Sequence, residues 1–153
     1  MIAIMYAWYF PMAWNHESVS GSPFSTLYDW QQIVVWLGRK GTGSTANDYS
    51  ALAVSYSGRW GYTKLSDPIY QTSTTRPLVR YELNNDGSHG VVRTHVQGLD
   101  LNLVAWDGFT KEARSAINAE WQWRTGAWDF KGALAPFSDK RFWSHLDAAW
   151  NGR

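Results

Sequence analysis

The stretch Ser25–Leu37, STLYDWQQIVVWL, decides the fold. Its second half, Gln32–Leu37, reads QIVVWL. That apolar run is too short for a membrane span and has the length of a strand buried on both faces. Ahead of it stands a carboxylate, Asp29, beside Trp30, with His16 and Glu17 some way upstream. Taken alone, these residues leave two alternatives. Asp29 marks the edge of a metal or catalytic site, or it belongs to a polar turn before a buried strand.

Working outward, similar short strands recur. Ala3–Phe10 is almost wholly apolar and aromatic and stops at Pro11. Ser50–Tyr56 and Leu78–Leu83 follow, then Val91–Val96 as the return of a hairpin whose turn lies in NNDGSHG, and Leu101–Trp106. Asn15–Pro23, Gly38–Asp48 and the stretch from Ser57 to Pro68 read as loops or irregular chain, rich in Gly and Ser. Two helices are expected late in the chain. One follows Thr110 as N-cap, with Ala113, Ile117 and Trp121 four apart. The other follows Ser138 as cap, with Phe142, Leu146 and Trp150 four apart. Short strands at close spacing with turn residues between them predict a mainly β chain, a β-sandwich with flanking helices. At 153 residues it fits a single domain, 1–153, with no internal repeat.

Composition removes several function classes. Fourteen basic side chains against thirteen acidic ones give a net charge of +1, so neither a nucleic-acid binder nor a polybasic membrane anchor is expected. There is no cysteine, hence no disulfide framework and no thiolate metal site. The opening MIAIMYAWYF lacks a basic leader and runs into proline, so it reads as a strand and not as a signal peptide. The unusual feature is the aromatic content, 11 Trp, 8 Tyr and 6 Phe. Such residues fill sandwich cores, stack on sugar faces and sit at membrane interfaces.

Enzyme signatures are missing. No phosphate-binding loop, dinucleotide glycine pattern, His-Glu-x-x-His or Gly-x-Ser-x-Gly occurs. The histidines His16, His89, His95 and His145 are scattered and read as structural or surface residues, with His89 and His95 flanking an expected strand. No spacing pairs Glu17, Asp29, Asp48, Glu82 or Asp107 as a glycosidase would require.

The residues that carry a family resemblance are AIMYAWYFP (Ala3–Pro11), DWQQIVVWL (Asp29–Leu37), the segment from Ala51 to Glu82, LNLVAWDGFTKEARSAI (Leu101–Ile117) and GALAPFSDKRFWSHLDAAW (Gly132–Trp150). In this order they resemble the necrosis- and ethylene-inducing-like proteins. The resemblance implies a β-sandwich with flanking helices, related to actinoporins and fungal fruit-body lectins. It implies secretion and a non-enzymatic action: binding the sugar headgroups of plant sphingolipids and damaging the plasma membrane, with the help of a divalent cation such as Ca²⁺ or Mg²⁺.

Two departures from the family pattern shape the expectations. The family's heptapeptide GHRHDWE falls on Ser25–Gln31. Asp29 and Trp30 match. Thr26 and Tyr28 stand where the family has histidines, Gln31 stands for its glutamate, and Ala13 for a loop aspartate. One carboxylate is too little charge for a hard cation that takes about six oxygen ligands, so cation binding is expected to be weak or absent. His16 and Glu17, in a loop longer than the family's, are the possible substitute ligands. Trp14, Trp30 and Asp29 are the candidate headgroup or sugar contacts; Trp14, in the loop, is the better of the two tryptophans, because Trp30 adjoins the buried strand QIVVWL and reads by preference as core. The second departure is that the family carries several strands ahead of the signature strand, and this chain starts at that strand. Missing N-terminal strands would leave edges and an apolar face exposed. Two readings follow: a divergent cytolysin acting on plant sphingolipid headgroups with its cation-dependent step impaired, or a lectin-like module on the same sandwich binding other glycans.

Overall fold

The computed structural model describes residues 1–13, 26–43, 45–72, 75–84, 88–119, 122–125, 128–131 and 135–152. The run IVVWL lies in the middle of β2 (Thr26–Arg39). On one side β2 pairs antiparallel with β1 (Ile2–Ala13), from Ile2 opposite Leu37 to Ala13 opposite Thr26. On the other it pairs with β3 (Tyr49–Gly58), which turns back into β4 (Gly61–Leu65), giving a sheet of order β1-β2-β3-β4. Strand side chains alternate between the faces, so the central strand must be apolar on both. Ile33 and Val35 point one way, with Val54 and Tyr56 of β3. They pack on Val91 of β6 (His89–Arg93), with Val79 and Tyr81 of β5 (Val79–Leu83) at the margin. β5 and β6 form a second antiparallel sheet. Val34 and Trp36 point the other way, with Ala53, and meet Ala149 and Leu146 of α2 (Phe142–Asn151). Each fully buried Val or Ile contributes roughly 1.5–3 kcal/mol.

The helix is pinned as well as packed. Trp36 Nε1 donates to Ser55 Oγ at 2.9 Å, and Ser55 Oγ donates to the Ala149 carbonyl at 2.7 Å. The indole N–H that a buried tryptophan must satisfy thereby becomes a bridge from sheet to helix. The remaining elements are α1 (Lys111–Asn118) and the hairpin of β7 (Gln122–Thr125) and β8 (Trp128–Lys131). Thr110 caps α1 as expected, its Oγ1 accepting from Ala113 N at 3.2 Å. The chain is thus mainly β, sandwich-like, with flanking helices.

Several local expectations are corrected. β1 does not stop at Pro11 but runs to Ala13. Pro11 has no pairing partner, and an edge strand tolerates a residue without an N–H. The stretch read as irregular after Ser57 holds β4. Leu101–Trp106 is not a strand: Leu101, Leu103 and Val104 are exposed, and Trp106 begins a short 3-10 turn. Ser138 does not cap α2; its carbonyl, not its hydroxyl, accepts from Arg141 N and Phe142 N. Among the described residues no helix is long and apolar enough to cross a membrane. Asn15–Pro23 lies outside the described residues.

Candidate functional site

β2 extends past the apolar run to Thr26, so Asp29 is a strand residue, opposite Phe10 of β1. Alternation puts Asp29 and Gln31 on the same face as Ile33, toward β5 and β6. Gln31 is buried, and its amide donates from Nε2 to both oxygens of Asp29, at 3.1 and 3.0 Å. The orientation of that amide is set from behind. Ser57 Oγ donates to Gln31 Oε1 at 2.7 Å, while accepting from the backbone N–H of Gln32 at 2.9 Å. A third donor reaches Asp29 from the second sheet: Tyr81 Oη bonds Oδ2 at 2.9 Å.

Tyr81 is held in place by an aromatic stack. Phe10 lies on one ring face, with centroids 4.1 Å apart, and His89 on another, 5.2 Å away and nearly parallel. Burial drives the Tyr81 phenol well above its ordinary range, and the hydrogen bond to Asp29 and the carboxylate's charge push the same way. The phenol is therefore a permanent donor at neutral pH. His89, one of the scattered histidines, is a buried structural residue. A half-buried carboxylate needs hydrogen-bond partners, and here the protein provides them from its own side chains.

A hard divalent cation at Asp29 would have to displace these donors. Both Asp29 oxygens are already engaged by amide and phenol donors, and the Gln31 carbonyl is taken by Ser57. Among the described residues no three His, Cys, Asp or Glu side chains come together as a metal site. Ala13 and Thr26 face each other at the end of the β1–β2 ladder, with Tyr28 one residue before Asp29. Trp14, His16 and Glu17 lie outside the described residues. Trp30, next to Asp29 in sequence, points to the opposite sheet face. There it packs against Tyr9, at 5.0 Å between centroids, and edge-on to Phe137 at 5.2 Å. The structure thus separates two residues that the sequence placed together.

What sequence reasoning missed is the neighbourhood of Ser57. A cavity of about 1100 Å³ opens there, beyond the β3–β4 hairpin and between α2 and β6. Arg59 and Trp60 form the hairpin tip. Gly61, with φ of +121°, supplies the left-handed residue that closes the turn. Gly90 forms part of the wall, where a Cβ would come within 3.1 Å of the Ser57 carbonyl. Trp60 is 85% exposed, with the Arg59 guanidinium 4.9 Å from its ring centre. The tryptophan flanked by glycines in SGRWGY was the available signal. On the helix side of the sheet, Gln32 Nε2 donates to Tyr62 Oη at 2.6 Å, which lies 2.9 Å from His145 Nδ1. Burial pushes the Tyr62 phenol up to about 12, and lowers the His145 imidazole, with Arg141 adding to the latter effect.

Comparison with known proteins places this geometry. The family model described as Necrosis inducing protein (NPP1) matches residues 1–149. NLP effector protein 3 of Phytophthora capsici is 34% identical over 152 residues, covering 97% of this chain and 56% of that protein. Among solved structures, the non-toxic HaNLP3 protein superposes with a TM-score of 0.74 at 27% identity, over 97% of this chain and 61% of that one. NLPPya in complex with glucosamine gives a TM-score of 0.70 at 26% identity, over 96% of this chain and 60% of that one. The chain spans a little over half the length of these proteins.

Proposed function

Because the chain belongs to the necrosis-inducing protein family, we propose that it is a secreted, non-enzymatic glycan-recognition protein that works without a divalent cation, and that cation-dependent damage to plant sphingolipid membranes is impaired in it. The observation that carries this reading is the closure of Asp29 by Gln31 and Tyr81. A cation bound there would have to displace three charge-assisted hydrogen bonds, each worth about 1.5–3 kcal/mol, and would meet one carboxylate in return. The solved relative bound to glucosamine supports a sugar as the partner, and the solved relative described as non-toxic is in keeping with a member of this fold that lacks toxicity.

The test sets a glycan array beside a leakage assay on vesicles bearing plant sphingolipids, with and without Mg²⁺ and Ca²⁺. Glycan binding without leakage is expected. Leakage that switches on with the cation would restore the cation-dependent cytolysin and overturn the proposal. An array with no bound glycan would do so equally.

A further inference from the structure

The main sheet has two edges, and they are built differently. β4 closes one of them with only five residues. It carries Lys64, whose ammonium lies 4.2 Å from the centre of the Trp150 ring and bonds the Trp150 carbonyl, tying α2 to that strand. A short strand with a lysine on it is a usual means of keeping an edge from pairing. β1 closes the other edge and has neither device. It runs for twelve residues, from Ile2 to Ala13, without a charged side chain. It pairs with β2 on one side, and no strand among the described residues pairs with the other. We propose that the free edge of β1 is the docking surface for a second copy of this chain. The two copies pair antiparallel about a two-fold axis, so that their four-stranded sheets become one continuous sheet.

Three observations select a second copy as the occupant. First, β1 is apolar yet unburied. Its neighbour β2 is buried from Gln31 to Trp36, whereas no side chain of β1 between Ile2 and Pro11 is. Ile2 and Ile4 remain 41% and 38% exposed, although Tyr6 and Trp8 on the same sheet face pack against the Ile33 cluster. An uncharged strand covered on one side only is half of an interface. Second, the strand is complementary to itself. Pro11 lacks an N–H, which leaves Ile2–Phe10 as the uninterrupted edge. Two antiparallel copies centred on Tyr6 keep every side chain on its own sheet face. They set Ile2 against the partner's Phe10 and Ile4 against the partner's Trp8, the β-branched–aromatic pairing that favours neighbouring strands. No like charges meet across the axis, because the strand carries none. Third, the size suffices. An edge from Ile2 to Phe10, at about 3.4 Å per residue, is about 30 Å long, and a sandwich edge is about 20 Å thick, giving about 600 Å² on each copy. The total, about 1,200 Å², lies at the lower end for a specific dimer, so self-association in the micromolar range follows. Phe10 also stacks on Tyr81, the phenol that bonds Asp29. The partner's Ile2 therefore closes the outer flank of that network.

The experiment measures the mass of the full chain by sedimentation equilibrium, from micromolar to submillimolar concentration. It is repeated for the double variants Ile2→Lys with Ile4→Lys and Leu101→Lys with Leu103→Lys. The leucines belong to the other exposed apolar stretch and control for association through it. Unchanged circular dichroism at the lowest concentration verifies that each variant keeps its fold. A reversible monomer–dimer equilibrium is expected, weakened about tenfold or more by the β1 lysines, which would be desolvated opposite aromatic rings, and unmoved by the leucine changes. Hydrogen exchange on the wild type depends on no variant: the β1 amides that point away from β2 should gain protection as concentration rises. The register is read with thiols, because the chain has no cysteine of its own. Met5→Cys mixed with Ala7→Cys should cross-link on oxidation, since these positions stand opposite each other across the axis at a separation a disulfide spans. A monomer at every concentration overturns the proposal. So does a dimer that survives the β1 lysines and is lost with the leucine changes, or outward β1 amides that exchange equally fast at all concentrations. Species that grow beyond the dimer overturn the closed two-fold arrangement, and a dimer without the cross-link overturns the antiparallel register.

Discussion

Replacing Gln31 by Glu is close to isosteric, so it tests the closed Asp29 network without opening a cavity. In the protein Gln31 Nε2 stands 3.0–3.1 Å from the two Asp29 oxygens. The substitution puts a carboxylate oxygen in that position. Two like charges at this separation repel by about 5 kcal/mol at an effective dielectric near 20. Two donated hydrogen bonds to a charged acceptor are lost as well. One carboxyl can relieve the repulsion by retaining its proton, so the net cost at pH 7 is about 2–4 kcal/mol, or about 4–16 °C in melting temperature for a chain of this size. Thermal melts followed by circular dichroism read this directly. The deficit of Gln31→Glu should shrink on acidification, when one carboxyl protonates, and on adding millimolar Ca²⁺ or Mg²⁺, which the paired carboxylates can share. The wild type should respond to neither EDTA nor cation. A Gln31→Glu protein melting within about 1 °C of wild type at pH 7 would refute the reasoning, since a destabilisation of even 1 kcal/mol exceeds that shift. So would a wild-type melting temperature raised several degrees by cation.

Other perturbations probe the frame around the site. Ser55→Ala leaves the Trp36 indole N–H and the Ala149 carbonyl without the hydroxyl that joins them; a loss of about 1–3 kcal/mol in chemical denaturation is expected. Ile33→Ala, at the centre of the sheet and 2% exposed, should cost about 2–5 kcal/mol on the same scale. The His145 imidazole, which faces Tyr62, Gln32 and Arg141, is depressed below its ordinary 6.5 in the fold. The unfolded chain then binds more protons below that value. Stability should be full above pH 6.5 and decline as pH falls toward the depressed folded value. In urea titrations across this window, His145→Gln should flatten the dependence.

How much of this could be read from the sequence varies by element. IVVWL announces a central strand because every position is apolar, as a strand covered on both faces requires. Its extension through TLYDW was not legible, because a lone aspartate looks like a turn residue until Phe10 is seen opposite it and Tyr81 above it. That Thr26, Tyr28 and Gln31 stand where the family pattern has two histidines and a glutamate could be read from the resemblance. The partners around Asp29 could not: Ser57 comes from 26 residues beyond the Gln31 it bonds and Tyr81 from 52 residues beyond Asp29, and they meet only through sheet pairing and sandwich packing. LNLVAW has the composition of a strand, but no strand among the described residues pairs with it, and a strand exists only through its neighbour. Trp30 followed the alternation rule to the face opposite Asp29, a consequence of strand geometry that adjacency in sequence conceals.

The most direct test of cation-independent recognition is calorimetric titration of the best-bound glycan in EDTA and again in millimolar Mg²⁺ or Ca²⁺. The account requires the same affinity in both, because Asp29 is already satisfied by Gln31 and Tyr81. Binding that is absent in EDTA and restored by the cation would contradict it.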